Sequence, residues 1–298
     1  MREKLNYLFV FGVFSSAVVL FCNCKQKPTP FTSLSIDSSK VIFFDDFSGP
    51  ALDTNHWNVE ETGIHVNAEL QAYIKSDSTI WFAKDEEAMG AKNGALILQP
   101  RFSKDFETMD GQKFDFVSGR INTKNKFDFA FGTAEARIKL TSGDGLWPAW
   151  WLLGNGNWPE TGEIDIMENI GESDWANAAV HGKGYSGDAG LVNRQYFADS
   201  NDVRQWHIYA VDWSPDTLIF KYDGKPIFRV TKPMIDFFGP WAFDNPKYLI
   251  LNFAVGGVYP FKINGIKQPY YGLSQTTLNL IKQGKSRMMV DWVRVKKR

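Results

Sequence analysis

Apolar and polar residues alternate with a period of two along much of the chain. In the segment TAEARIKL, residues 133–140, the charged side chains of Glu135, Arg137 and Lys139 stand between apolar ones. A β-strand with one buried face produces this pattern. Six other segments have a similar strand-like character: KVIFFDDF, ALILQP, QWHIYAVDW, TLIFKYDG, YLILNFAVGG and MMVDWVRVKK. The pattern therefore predicts an all-β protein.

Turn dipeptides separate several of these segments: Asn93-Gly94, Asp223-Gly224 and Asn264-Gly265. Only the segment TLNLIKQG, near the C-terminal end, carries a weak helical pattern. Many short antiparallel strands without an internal repeat favour one β-sandwich over two domains. A long sandwich usually bends, so we expect its concave sheet to form a cleft in which a polymer lies.

The N-terminal segment is typical of an export signal. Arg2 and Lys4 precede an apolar run from Tyr7 to Phe21, which is too short and wrongly flanked for a membrane span. Cys24 closes the segment and resembles the acylated cysteine of a bacterial lipoprotein, with a plain cleaved signal as the alternative. We expect an outer-membrane or cell-surface lipoprotein tethered through an N-terminal lipid, or otherwise a secreted or periplasmic protein.

Three regions follow from this interpretation. Residues 1–24 are the signal segment, residues 25–39 are a linker rich in Pro, Ser and Thr, and residues 40–298 are the β-sandwich domain, to which the motifs below assign catalysis. Both cysteines precede the linker, so this domain has no disulfide, thiol nucleophile or cysteine metal site.

Composition narrows the choice of partner. A formal net charge of −1 gives no excess for binding nucleic acid or an anionic membrane surface. Eleven tryptophans, in a chain with 15% aromatic residues, favour a surface on which some rings bind a ligand. We expect a monomer that recognises its partner by shape and chemistry.

The segment TGEIDIMENIG, residues 161–171, sets three acids among apolar residues. On a regular strand Glu163 and Asp165 point to one side and Glu168 to the other. Burying the Glu168 carboxylate in the core without a partner would cost roughly several kcal/mol. A one-residue bulge at Ile166-Met167 would turn all three acids to the same face, and bulges are common beside active sites.

Two carboxylates on one face suit the cleavage of a glycosidic bond. With the bulge, Glu163 and Glu168 are spaced like positions four apart, about 13 Å along the strand, and their side chains can lean together. They could approach the roughly 5–5.5 Å that a retaining glycosidase needs between nucleophile and acid/base. Glu163 fits the first role, Glu168 the second, and Asp165 can hold Glu163 through a shared hydrogen bond. An exposed acidic strand or a calcium site is the alternative.

The surrounding motifs resemble glycoside hydrolase family 16, in its bacterial laminarinase-like branch. The resemblance rests first on GEIDIMEN, which is preceded by GLWPAWWLLG and by the pair Trp158-Pro159. It extends to the segments FFDDFSG, NAELQAY, SGRINTKNKFDFAFGTAEARIKL, LNFAVGG and VDWVRV. It implies a jelly-roll, concanavalin A-like sandwich with an open cleft and a double-displacement mechanism that needs no cofactor. It also implies Glu163 as nucleophile, Asp165 as its assistant and Glu168 as acid/base.

Tryptophans beside the acid motif are candidates for stacking on sugar rings. Strand alternation places Trp147 and Trp151 on one face and Trp150 on the other. We therefore expect Trp147, Trp151 and Trp158 to stack on pyranose rings, in agreement with similar family positions, and Trp150 to lie in the core.

The resemblance also implies polar contacts. His181, in NAAVHGKG, matches a family histidine near the acid/base and would bond a sugar hydroxyl or Glu168. Asn67, Arg120 and Asn252 match cleft positions that bond hydroxyls.

A structural calcium ion remote from catalysis is a further implication. Asp291 in VDWVRV is the matching carboxylate, with Asp46 and the Gly94 carbonyl as weaker ligands. Calcium favours several oxygen ligands, which loops between strands can supply. A solvated aspartate is the alternative.

These features together favour an endo-acting β-1,3-glucanase that retains configuration, with mixed β-1,3/1,4-glucan as a further substrate. A hydrolase of another algal β-linked polysaccharide, of agarase or carrageenase type, is the nearest alternative, because cleft loops set specificity. A non-catalytic β-glucan-binding protein on the same fold is a second alternative. Transglycosylation through the same covalent intermediate is a third outcome.

Overall fold

The structure is a computed structural model that describes residues 40–63 and 65–297. The signal segment with Cys24 and the linker lie outside the described residues, so the interpretation of residues 1–39 stays a prediction. Within the described part of the chain, none of the helices has the length and hydropathy required to span a membrane.

Two antiparallel sheets of eight strands each form the body of the fold. The back sheet consists, in spatial order, of β17 (Lys225–Thr231), β16 (Thr217–Tyr222), β15 (His207–Ser214), β10 (Gly132–Leu140), β19 (Met288–Lys296), β5 (Ala95–Leu98) and β4 (Ile80–Ala83), with β1 (Val41–Asp45) paired to β19. The front sheet consists of β14 (Leu191–Tyr196), β13 (Trp175–His181), β12 (Glu163–Glu168), β11 (Leu146–Gly154), β18 (Lys247–Val255), β8 (Arg120–Asn122) and β2 (Asn58–Val59), with β9 (Asp128–Phe129) paired to β18.

Smaller elements complete the domain. A three-stranded sheet consists of β3 (Gln71–Tyr73), β7 (Lys113–Ser118) and β6 (Arg101–Glu107), and the α-helices are α1 (Lys232–Ile235), α2 (Val258–Asn264) and α3 (Gln275–Lys282). Short 3-10 helices span Val66–Ala68, Asp85–Ala88 and Gly187–Ala189.

The core lies between the front and back sheets. Each strand sends alternate side chains inward, so Trp150 from β11 and Met167 from β12 pack in one apolar cluster with Val293 from β19. Trp150 is completely buried, as the alternation predicted. A side chain of this size contributes about 3–5 kcal/mol, judged by the cost of truncating a core Trp or Phe to Ala.

The strand predictions are confirmed, because all seven predicted segments contain a strand and TLNLIKQG overlaps α3. Asp223 and Gly224 join β16 to β17 and both have positive φ, as a tight hairpin turn requires. Asn264-Gly265 also lies between two strands, β18 and β19, but it ends α2 instead of forming a hairpin turn. Gly265, with φ of 68°, supplies the left-handed residue that commonly stops a helix.

Candidate active site

The predicted bulge in β12 is present. Against β11, Trp151 pairs with Asp165 and Trp150 pairs with Met167, which leaves Ile166 without a partner. The register against β13 shifts across the same residues. Ile166 and Met167 are both fully buried, so two consecutive side chains enter the core where a regular strand would send one.

This bulge places Glu163, Asp165 and Glu168 on the outer face of the front sheet. Pairing with β13 sets Glu163 opposite His181 and Glu168 opposite Asn177, and these two positions on β13 have the same parity. Cross-strand partners share a face of the sheet, so both glutamates face the same way. The bulge at residues 166 and 167 therefore determines whether the Glu163 and Glu168 carboxylates lie on the same face of the sheet.

Glu163 and Asp165 lie in a poorly solvated position. Their side chains are 19% and 5% exposed, respectively. Burial, and then the neighbouring Asp165 carboxylate, raise the pKa of Glu163 to about 8. Burial, and then the charge of Glu168, raise the pKa of Asp165 well above its ordinary value, while its hydrogen bond to Glu163 opposes the shift. Glu163 and Asp165 therefore titrate as a buried pair, in which the charge of Asp165 raises the pKa of Glu163.

Glu168 is held by two N–H donors. Trp147 Nε1 donates to Oε1 at 3.0 Å, and Asn177 Nδ2 donates to Oε2, also at 3.0 Å. Each carboxylate oxygen thus has a fixed donor, which orients the group on the sheet. Such donors stabilise the negative charge that Glu168 carries after it gives up a proton.

All three tryptophans predicted to bind sugar lie on the carboxylate side of the front sheet. Besides Trp147, Trp158 is 52% exposed and its Nε1 donates to Glu163 Oε2 at 3.0 Å. Trp151 is half-buried, and its Nε1 donates to Asn252 Oδ1 at 2.7 Å. Their indole N–H groups therefore bind the protein, which leaves ring faces for a ligand.

The predicted polar residues form a connected group next to Trp151. The Arg120 guanidinium lies 5.0 Å from the Trp151 ring centroid and pairs with Glu60 at 2.8 Å. Asn252 also donates to the Tyr73 hydroxyl at 3.0 Å. Trp151 thus has one face covered by Arg120, and much of the hydrogen-bonding capacity of Asn252 is used within the protein.

Asn67 lies at the edge of this group and is exposed. It belongs to the short 3-10 helix Val66–Ala68 and has a φ of 54°. It lies close to the Glu69 carboxyl, whose pKa both Asn67 and Arg120 lower. Burial raises the pKa of Glu69, against the effect of its hydrogen bond to Gln71.

The prediction that His181 lies near the acid/base is wrong. His181 pairs in register with Glu163, and its Nε2 lies 3.9 Å from Glu163 Oε1 and 3.3 Å from Asp165 Oδ2. The antiparallel pairing of β12 with β13 sets His181 at the nucleophile end of the strand and Asn177 at the Glu168 end. Nε2, Oε1 and Oδ2 could also hold a cation, since ligand atoms of these three residues lie within 4.8 Å of one another.

A row of cross-strand partners runs through Glu168 across the front sheet. From β8 to β14 it consists of Arg120, Asn252, Ala149, Glu168, Asn177 and Arg194. Five steps between neighbouring strands, each about 4.8 Å, give the row a length of roughly 24 Å. A linear chain lying across the strands would therefore pass over Glu168 with space on both sides.

The predicted calcium ligands come together, but protein donors already occupy their oxygens. Asp291 is 2% exposed, and it accepts a hydrogen bond from the Lys92 backbone N–H at 2.9 Å and another from Arg137. Asp46 Oδ2 accepts a hydrogen bond from Asn93 Nδ2 at 2.6 Å. Residues 92 and 93 thus bring both aspartates to one corner of the fold.

A lysine occupies the rest of this corner. Lys84 Nζ donates to the Ser48 carbonyl at 2.7 Å, and it lies close to the space where Gly94 would carry a side chain. With Arg137 and Lys84 as the local cations, these residues do not fit a calcium ion. Asp291 is thus paired with Arg137, and this donor set is an argument against the predicted calcium ion at Asp291, Asp46 and Gly94.

Asn177 and Tyr259 are site residues that the sequence pattern did not single out. Asn177 lies four positions before His181, so the same alternation that put His181 on the cleft face could have found it. Tyr259 lies in α2, where the strand pattern has ended. Its position depends on tertiary structure alone.

Comparison with known proteins agrees with this geometry. Residues 53–259 match the family described as Glycosyl hydrolases family 16. The chain is 32% identical over 253 residues to the glucan endo-1,3-beta-glucosidase A1 of Niallia circulans, a match that covers 76% of this chain and 35% of that protein. It is 32% identical over 234 residues to a beta-glucanase of Rhodothermus marinus, with coverage of 74% and 77%.

The fold is likewise similar to a solved enzyme structure. The endo-beta-1,3-glucanase from Pyrococcus furiosus superimposes with a TM-score of 0.72 at 31% identity, covering 86% of this chain and 94% of that one. A jelly-roll sandwich with paired carboxylates on one sheet defines the class of the protein as a glycoside hydrolase. The chain belongs to glycosyl hydrolases family 16, and the resemblance noted from its motifs is confirmed.

Proposed function

We propose that the chain cleaves β-1,3-glucan internally and retains the anomeric configuration, with mixed β-1,3/1,4-glucan as a second substrate. The observation that carries the proposal is the bulge at Ile166-Met167, which sets Glu163 and Glu168 on one face. Retaining cleavage needs such a pair of carboxyl groups beside one glycosidic bond. The two bacterial relatives act on β-1,3-glucan or β-glucan according to their names, which supports this substrate class.

The first step forms a bond between a Glu163 oxygen and the anomeric carbon. The bond from that carbon to the leaving sugar oxygen breaks, and the proton of Glu168 moves to this oxygen. In the second step water attacks the same carbon and gives its proton to the Glu168 carboxylate. Glu163 leaves as a carboxylate, so both residues return to their starting states.

Asp165 and His181 affect the protonation and the orientation of Glu163. Glu163 attacks only as a carboxylate, yet its surroundings raise its pKa to about 8. Asp165 lies beside Glu163 and can share a hydrogen bond with it, which would fix the orientation of the nucleophile. A donor at His181 Nε2, 3.3 Å from Asp165 Oδ2, adds positive charge or a dipole on the same side.

Sugar rings would bind along the row that passes through Glu168. The exposed face of Trp158 lies next to Glu163, and Trp147 lies next to Glu168, so two rings flank the reacting bond. Beyond Arg120, a cavity of about 410 Å³ at the edge of the front sheet is lined by polar residues including Glu60, Asn122 and Lys124. The row of roughly 24 Å, which continues on both sides of Glu168, suits internal cleavage of a long chain.

A substrate panel tests the proposal. Laminarin, lichenan, agarose and carrageenan are digested in parallel, and new reducing ends are measured. We expect release from laminarin, less from lichenan, and none from the two galactans. Glu163→Gln should abolish cleavage and leave laminarin binding intact, because it keeps the shape of the side chain.

The same panel separates the alternatives. Cleavage of agarose or carrageenan alone would favour a galactan hydrolase, since cleft loops set specificity. Binding of laminarin by the wild-type protein without release of sugar would favour a glucan-binding protein. Longer products at high acceptor concentration would reveal transglycosylation.

We also propose export and a lipid tether at Cys24, on the basis of the N-terminal residues alone. One acyl chain gives only weak membrane attachment, so the tether would be reversible unless a second contact assists it. Metabolic labelling with a fatty acid tests this point. Incorporation that disappears in Cys24→Ala supports it, and an unlabelled wild type contradicts it.

A further inference from the structure

Both hydrogen-bond donors of Glu168 contact one residue that the proposed mechanism does not use. The Tyr259 hydroxyl donates to Asn177 Oδ1 at 3.0 Å. The Tyr259 ring packs edge-to-face against Trp147, with 5.5 Å between ring centroids and 71° between the ring planes. Asn177 and Trp147 in turn donate to the two oxygens of Glu168. Tyr259 therefore supports both partners of the acid/base.

The hydroxyl of Tyr259 fixes which end of the Asn177 amide faces Glu168. An amide has an acceptor oxygen at one end and a donor NH₂ group at the other. With Oδ1 bound by the Tyr259 hydroxyl, Nδ2 points at Glu168 Oε2. The reverse orientation would put the Asn177 oxygen against Glu168 Oε2, where it would repel the carboxylate form and compete with the leaving sugar oxygen for the proton of the acid form. Asn177 is fully buried, so water does not reach its side chain to correct the arrangement.

Two glycines bring Tyr259 to this position. Gly256 and Gly257 follow β18 with φ of 60° and 98°, a region that other residues rarely adopt. A Cβ atom on Gly256 would lie 2.6 Å from the Tyr271 carbonyl oxygen. The chain can turn sharply here because both residues lack a side chain. It then begins α2 and sets Tyr259 beside Trp147.

We propose that Tyr259 is a positioning residue for the acid/base. It holds Glu168 in the orientation in which its proton reaches the leaving oxygen, by fixing the Asn177 amide and the Trp147 ring. The inference rests on the proposed function, because it assigns Tyr259 to the proton transfer of that reaction.

The effect of a Tyr259 variant on kcat/KM, compared between a poor and a good leaving group, tests this role separately from binding and folding. Cleavage of laminarin needs a proton from Glu168, whereas a dinitrophenyl β-glycoside of laminaribiose releases a stable anion and needs no acid. The ratio kcat/KM reports the steps up to formation of the covalent intermediate, so it compares acid assistance directly. Tyr259→Phe removes the hydroxyl and keeps the ring. Tyr259→Leu removes the ring as well.

We expect Tyr259→Phe to lower kcat/KM on laminarin about tenfold, a fraction of the roughly 10²–10⁴-fold that general acid catalysis contributes. On the dinitrophenyl substrate its kcat/KM should stay within about twofold of the wild type. Tyr259→Leu should show a larger difference in the same direction, and Glu168→Ala the largest. Tyr209→Phe is the matched control, since Tyr209 is buried on β15 and its hydroxyl has no partner among the described residues.

Equal losses on both substrates would overturn the inference, because they would reflect binding or folding. Unchanged rates on both substrates would overturn it too. Thermal unfolding of each variant identifies a folding defect, and the Phe variant alone then decides the outcome, since it removes a single oxygen atom. A wild-type protein inactive on both substrates would instead contradict the proposed function.

Discussion

Trp158 Nε1 and Glu163 Oε2 are joined by a hydrogen bond of 3.0 Å, although the Trp158 side chain is 52% exposed. A ring that is open to solvent on its face is thus fixed at its edge to the nucleophile. A sugar stacked on Trp158 would lie with its neighbouring bond close to Glu163. Binding and nucleophilic attack are therefore linked through one indole.

Trp158→Phe tests this link. The hydrogen bond from Trp158 lowers the pKa of Glu163, against the burial and the Asp165 and Glu168 charges that raise it. Loss of the N–H should therefore raise this pKa further and reduce the ionised fraction of Glu163. We expect the acidic limb of the pH profile of kcat/KM on laminarin to shift to higher pH. Trp206→Phe, which loses only a bond to the Met89 carbonyl, should keep the wild-type profile.

Asp165→Asn should shift the same limb in the opposite direction. The Asp165 carboxylate is the second largest cause of the raised pKa of Glu163, after burial. An amide of the same shape removes that charge, so Glu163 ionises at lower pH. We expect kcat to fall by roughly 10²-fold, the scale for one lost preorganised hydrogen bond. A shift of the acidic limb to higher pH would contradict the Asp165 charge as a cause of the raised pKa of Glu163.

Local patterns predicted the strands and the bulge, and the reason is the cost of burying charge. A regular strand would have turned Glu168 into the core, so the spacing of the acids in β12 predicted the bulge. Alternation likewise separated Trp150, which is fully buried, from Trp147 and Trp151. Both predictions depend only on neighbours in the chain.

Contacts between segments that are distant in the chain could not be predicted from these local patterns. The neighbours of His181 depend on the register of β12 with β13, which the bulge shifts. Arg137 reaches Asp291 from another strand, and so occupies a corner where a calcium ion was expected. Tyr259 reaches the site through a turn whose direction two glycines allow but do not specify.

Lys247 gives a prediction for stability. It is fully buried on β18, and its Nζ donates to the Thr161 carbonyl at 2.6 Å and to the Ala242 carbonyl at 3.0 Å. Burial lowers its pKa from 10.5 to about 7. Between these values the unfolded chain binds a proton that the folded protein lacks, so the free energy of unfolding should rise with pH across this window.

Lys247→Met lacks this titration and serves as the reference. We expect the free energy of unfolding of the wild type, minus that of Lys247→Met, to increase between pH 7 and pH 10. Urea unfolding at several pH values measures this difference. A constant or decreasing difference would show that Lys247 keeps its proton when buried.

Calcium should have little effect on stability. Arg137 and the Lys92 backbone use both oxygens of Asp291, so a chelator or added calcium chloride should leave Tm unchanged. Arg137→Ala should destabilise the protein by about 3 kcal/mol, because it leaves a buried carboxylate without its cation. A fall in Tm of several degrees on chelation would contradict the assignment of this corner to internal ion pairs.

The central claim is that the bulge in β12 makes Glu163 and Glu168 a retaining pair. Proton NMR of laminarin hydrolysis, followed from the first minutes, measures it most directly through the configuration of the newly formed reducing end. We predict that the β-anomer appears first and then equilibrates with the α-anomer. First appearance of the α-anomer would mean single displacement and would contradict Glu163 as nucleophile and Glu168 as acid/base.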